Sequence, residues 1–172
     1  MSLQKQYAGY RSFSYLEAGV DYEPFELADE VDRVAPYRLP LSDEEEARVR
    51  ALPQRLLFVS MHEHLGVFPA RIEQTPEYAR QGRMVTAFEG LSHSYWDCVF
   101  DNLMDGICKI HSSSGWQWED VLHDLGMRLC DLAHQDFVFH CTRVDDVQRA
   151  HDEGRVAWVA TMEGAAMIEH DL

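Results

Sequence analysis

The stretch Arg55-Leu56-Leu57-Phe58-Val59-Ser60-Met61-His62-Glu63-His64 constrains the fold of this chain more than any other. The apolar run from Leu56 to Val59 is what a short strand buried on both faces of a parallel sheet requires. Two histidines separated by one residue follow it. On an extended chain alternate side chains share a face, so His62 and His64 can reach one point in space while Glu63 points the opposite way. Neutral imidazole is the commonest protein ligand for Zn²⁺ and related ions, and two of them at one strand end make half of a metal site. The plain alternative is a histidine pair at a strand-to-loop junction.

A second apolar run, Val156-Ala157-Trp158-Val159-Ala160-Thr161-Met162, ends in Glu163-Gly164. Here too a metal-ligating side chain stands at the carboxyl end of a strand, before a small residue that lets the chain turn away. Between the two runs, Trp118, Val121, Leu122, Leu125, Leu129 and Leu132 recur at helical spacing and predict one apolar, core-facing stripe. Phe137-Val138-Phe139-His140 is a short strand candidate. Thr142-Arg143-Val144-Asp145 opens a helix through Glu153, with Gly154 as its stop. Helices alternating with buried strands predict an α/β fold with a parallel sheet. In β/α barrels, the chemistry collects where these ligands stand, at the carboxyl ends of the strands.

The H-x-[DH] pattern on a first strand, followed later by Ala150-His151-Asp152-Glu153-Gly154-Arg155-Val156-Ala157-Trp158-Val159-Ala160-Thr161-Met162-Glu163-Gly164, resembles the membrane (renal) dipeptidase family of the amidohydrolase superfamily. The likeness is clearest over Trp118 to Ala166, weaker over Leu56 to Pro69, and absent before Leu52. It implies the amino-terminal part of a (β/α)8 TIM-type barrel and two divalent metal ions, with zinc expected. The ligands would be His62 and His64 on one metal and Glu163 as the bridge between the two. The reaction implied is hydrolysis of dipeptides or related small amides by a metal-bridging hydroxide, whose pKa the metals lower. This sequence departs from the family at the first strand. The family's H-x-D, preceded by an acidic residue and glycine, is replaced by Ser60-Met61-His62-Glu63-His64. An imidazole in place of a carboxylate makes the site one charge more positive. The alternative is a non-catalytic barrel relative with a binding or assembly role, in which the three residues are polar rim groups.

A β/α barrel takes about 250 residues, and this chain has 172. The family's remaining ligands would fall beyond Leu172, so the expectation is an incomplete barrel, completed by further chain or by a partner, homo-oligomers included. Residues 1–54 are expected to form an extension and connecting helix, and residues 55–172 the first part of the hydrolase barrel. The formal net charge of −15 argues against nucleic acid or an anionic membrane as a partner and is read as serving solubility, while the small peptide or amide substrate is what the resemblance implies. With no apolar run long enough to span a bilayer and no signal-like amino terminus, a cytoplasmic protein is expected. Cys98, Cys108, Cys130 and Cys141 lack C-x-x-C spacing and read as buried, reduced thiols.

Elsewhere, Tyr7 to Leu16 is aromatic-rich with partial alternation, suited to a strand or an ordered arm. Ser42-Asp43-Glu44-Glu45 reads as a capping box opening a solvated helix that runs to about Leu52. Thr75-Pro76-Glu77 starts a helix ended by Gly82, and Met84 to Phe88 suits strand or helix. Cys98 to Met104 holds a second barrel strand and Ile107 to Ile110 a further candidate. Ser112 to Gly115 offers N-caps for the long helix. Lys5 and Lys109 are the only lysines. The latter is read as a charged surface residue rather than a carboxylated metal bridge. His123 and His134 are read as surface residues, and His93 and Trp96 as either pocket lining or surface-to-core transition.

Overall fold

The computed structural model describes residues 5–103 and 117–163. Four strands, β1 (Val59–Glu63), β4 (Cys98–Asn102), β5 (Val138–His140) and β6 (Val156–Thr161), form a parallel sheet in the order β1-β4-β6-β5. Two short strands, β2 (Gly66–Val67) and β3 (Val85–Thr86), pair antiparallel beside it. The helices are α1 (Asp43–Ala51), α2 (Thr75–Arg80), α3 (Phe88–Ser92), α4 (Trp118–Leu132) and α5 (Asp145–Glu153). The further strand candidate Ile107 to Ile110, with Cys108 and Lys109 in it, and the N-cap candidates Ser112 to Gly115 lie outside the described residues.

Strand alternation sorts the core into two layers. Val99, Val138, Val156 and Trp158 face one side, where Val121 of α4 joins their cluster and Leu125, Leu129 and Leu132 pack against it. The intervening residues Cys98, Phe100, Phe139, Ala157 and Val159 face the other side, where α5 contributes Val147 and Ala150. Helices therefore clothe both faces of the sheet. In a (β/α)8 barrel each strand pairs with the next along the chain and the helices form one outer ring. Here β6 lies between β4 and β5, and α4 and α5 lie on opposite faces. The described residues thus form an open α/β sheet, and the expected first part of a barrel is not what they show.

Three further expectations are corrected by packing. The first strand begins at Val59 rather than at Leu56, and Leu56 and Leu57 are exposed. The amide of Leu56 bonds back to the Leu52 carbonyl at 3.0 Å in a tight turn, and β1 is an edge strand rather than one buried on both sides. On α4, Trp118 and Leu122 are 53% and 50% exposed, so they leave the predicted stripe. The buried face of α4 instead carries Asp120, Val121, Asp124, Arg128 and Asp131. Charged groups tolerate burial only when paired, and these are. Arg128 lies 3.6 Å from Asp124 and donates to the Thr86 hydroxyl at 2.9 Å. Asp131 accepts from the Tyr10 hydroxyl at 2.5 Å and from the Phe13 amide at 3.0 Å. The third correction concerns the thiols: Cys98 is buried, but Cys130 is exposed and Cys141 half-buried. Burial pushes the Cys98 thiol up to about 12, which leaves it unreactive.

The same contacts tie the amino-terminal arm to the core. Tyr7 and Tyr10 pack against the α4 layer and Phe13 is buried. The Lys5 ammonium donates to the Trp96 carbonyl at 2.6 Å and lies 3.6 Å from Asp97. The capping box of α1 forms as expected, with Ser42 and Glu45 bonding each other's backbone, and no residue of α1 is buried. Pro76 sits in the first turn of α2. Asp146 fixes the start of α5 by accepting from the amides of Thr142 and Arg143 at 2.8 and 3.0 Å. The Thr142 amide bond, outweighing burial, holds the Asp146 carboxyl below the usual carboxylate range. Gly154 ends α5 at φ +66°, a left-handed conformation that favours glycine, and lets the chain enter β6 directly. No helix among the described residues is long and apolar enough to cross a membrane.

Candidate metal centre

The sheet brings the three predicted ligands to one edge. Because β1, β4 and β6 run parallel, their carboxyl ends lie together, and Glu163 reaches across the end of β4 toward His62 of β1 and His64 just beyond it. The Nε2 atoms of His62 and His64 are 3.2 Å apart, with ring centroids 5.1 Å apart and planes at 74°. Glu163 Oε2 lies 3.7 Å from His62 Nε2 and 3.5 Å from His64 Nε2. All three side chains are exposed.

The register of β1 contains an irregularity. Ser60 aligns with Val99 and Glu63 with Asp101, so Met61 and His62 together oppose Phe100. Such a bulge adds a residue to one strand, bends it and re-aims its side chains. The Glu63 carboxylate is not one of the three clustered groups, and its Oε1 accepts from the Ser60 hydroxyl at 2.5 Å, a contact across the bulge that strict alternation would not give.

The donor spacing matches one ion. Ligand atoms placed tetrahedrally at the usual zinc distances stand about 3.3 Å apart, close to the 3.2, 3.5 and 3.7 Å found here. Among the described residues the cluster offers three protein donors, one fewer than the four of a closed structural zinc site. The two His and one carboxylate also suit other divalent transition metals.

The residues beneath the cluster were not nominated from the sequence. Asp101, fully buried at the end of β4, accepts from the Leu65 amide at 3.1 Å and from the Trp158 indole at 2.8 Å. Asn102 donates to the Glu63 carbonyl at 3.2 Å, and its side-chain oxygen lies 3.1 Å from the Thr161 hydroxyl. An Asp-Asn pair closing an apolar strand was the available signal, since polar groups in that position are buried only when something donates to them.

The other histidines weighed from the sequence, His93, His123 and His134, stand apart from the cluster. His123 lies 3.1 Å from the Gly82 carbonyl, and His134 stacks on Tyr15 at 3.7 Å. His93 is exposed at the end of α3, and Trp96 packs against the core. A cavity of 510 Å³ between the amino-terminal arm and the β2–β3 pair includes Phe13, Tyr22, Phe25 and Tyr78 in its walls, but none of the three candidate ligands. No protein-family model, curated protein or solved structure matches this chain.

Proposed function

We propose that this protein is a metal-dependent hydrolase of dipeptides or related small amides, with His62, His64 and Glu163 as ligands. The observation that carries the reading is the convergence of donors from two separate strands at the carboxyl edge of a parallel sheet. That edge is where open α/β sheets and barrels alike place their ligands, so the reading does not depend on a closed barrel. The substrate class rests on the resemblance of the Ala150–Gly164 stretch to the membrane dipeptidases. The three donors suffice for one ion. The second ion implied by that resemblance needs donors other than these.

The chain's own residues divide the work. His62 and His64 supply two neutral nitrogen donors on one short segment, and Glu163 supplies the negative charge that offsets part of a dication. The parallel pairing of β1, β4 and β6 brings the two kinds of donor to the same edge of the sheet. The open side of the cluster faces solvent, which gives a small amide direct access. A divalent ion held there would polarise an amide carbonyl and make water a better nucleophile at neutral pH. The exposure of all three donors favours a second reading, metal binding or assembly without catalysis, since catalytic clusters profit from excluding water. Among the described residues β1 and β5 are the edge strands of the sheet, which suits that assembly role.

Turnover of simple dipeptides separates the two readings. The proposal expects hydrolysis that requires Zn²⁺ or a related ion, is abolished by a chelator, and returns when metal is restored. Metal binding with no hydrolysis across a dipeptide panel would favour the non-catalytic reading.

A further inference from the structure

We infer that Asp101 is the positioning residue of the metal centre, fixing His64 relative to Glu163. Its carboxylate bonds both strands that bear ligands. One oxygen takes the amide of Leu65, the residue immediately after His64, at 3.1 Å. The other takes the indole N–H of Trp158 on β6, the strand that leads into Glu163, at 2.8 Å. Arg128 of α4 stands 4.0 Å from the same carboxylate. The group is fully buried, so water cannot replace these bonds without opening the core.

The need for such a brace follows from β1. The strand is an edge strand, its ladder to β4 is irregular between Ser60 and Glu63, and His64 lies beyond its last residue. Backbone pairing alone therefore holds the histidines loosely. The Leu65 bond restores a fixed point one residue past His64, on the β4 residue whose register partner is Glu63. Without it, the segment carrying His64 keeps its sequence but loses its distance to Glu163.

This inference rests on the proposed metal centre, and its test keeps the two apart. Asp101→Asn keeps the size of the side chain but replaces one acceptor oxygen with a donor. Asp131→Asn is the control, an equally buried carboxylate that ties down the amino-terminal arm instead. Two readouts are taken on each. In metal-free protein, ring-to-ring NMR contacts between His62 and His64, together with exchange protection of the Leu65 amide, should persist in Asp131→Asn and weaken in Asp101→Asn. In Zn²⁺ titrations, Asp101→Asn should lose affinity by about tenfold or more, the scale of loss when an outer partner of a ligand is removed, while Asp131→Asn stays near wild type. Equal effects of the two variants, or an unprotected Leu65 amide in the wild-type protein, would overturn the positioning role. The wild-type measurement decides the matter even where Asp101→Asn fails to fold. Wild-type protein that binds no zinc but keeps the Asp101-dependent ring contacts would count against the metal reading alone.

Discussion

Replacing Glu163 with glutamine is expected to weaken metal binding by more than the roughly 10–100-fold lost when an outer partner of a ligand is removed, and to lower amide hydrolysis by several orders of magnitude. The glutamine keeps the volume and the hydrogen-bonding reach of the side chain, so the fold should be preserved. What disappears is the negative charge 3.5 and 3.7 Å from the two imidazoles. A dication held by two neutral nitrogens and an amide oxygen has no counter-charge from its ligands. Glu63→Gln should change little, because that carboxylate is engaged by Ser60 and is not one of the three clustered groups. Metal content and dipeptide turnover of the two variants, measured side by side, check this. Equal losses in both would show that the effect is general acidity around the histidines and not ligation by Glu163.

Trp158→Ala is expected to have the largest effect on stability. The side chain is 1% exposed and sits in the layer between the sheet and α4. Truncating a buried tryptophan costs about 3–5 kcal/mol through lost burial and the cavity left behind. Against a total stability of roughly 5–15 kcal/mol, that leaves a chain with little margin. The loss is compounded because the indole N–H is one of the donors to the buried Asp101 carboxylate. Trp158→Phe should cost less, since it keeps most of the ring volume although it also removes the N–H donor to Asp101. Urea unfolding followed by circular dichroism gives both values, and a Trp158→Ala midpoint close to wild type would contradict the assigned core.

The candidate ligands were legible in the sequence because each feature that places them is local. His62 and His64 meet through the alternation of an extended chain, and Glu163 closes an apolar run that forms β6 as read. The capping box of α1, the stop at Gly154 and the strands β4 and β5 were legible for the same reason: cap chemistry and periodicity act within a few residues. Strand order was not. Nothing local distinguishes β6 beside β4 from β6 beyond β5, because that choice is made by pairing across more than fifty residues. Nor did periodicity reveal the true inner face of α4. The stripe named only apolar residues, whereas Asp124 and Asp131 are buried there because Arg128, Tyr10 and the Phe13 amide lie opposite them. Asp101 was hidden by the same limit, as its donors come from Leu65 and Trp158, far away along the chain.

The central claim is that His62, His64 and Glu163 form one metal site, and calorimetric titration of Zn²⁺ into chelator-stripped protein tests it most directly. Saturable binding of one ion per chain is predicted, and His62→Ala/His64→Ala should abolish it while leaving the circular dichroism spectrum unchanged. No saturable binding to the wild-type protein, or the same isotherm in the double variant, would contradict it.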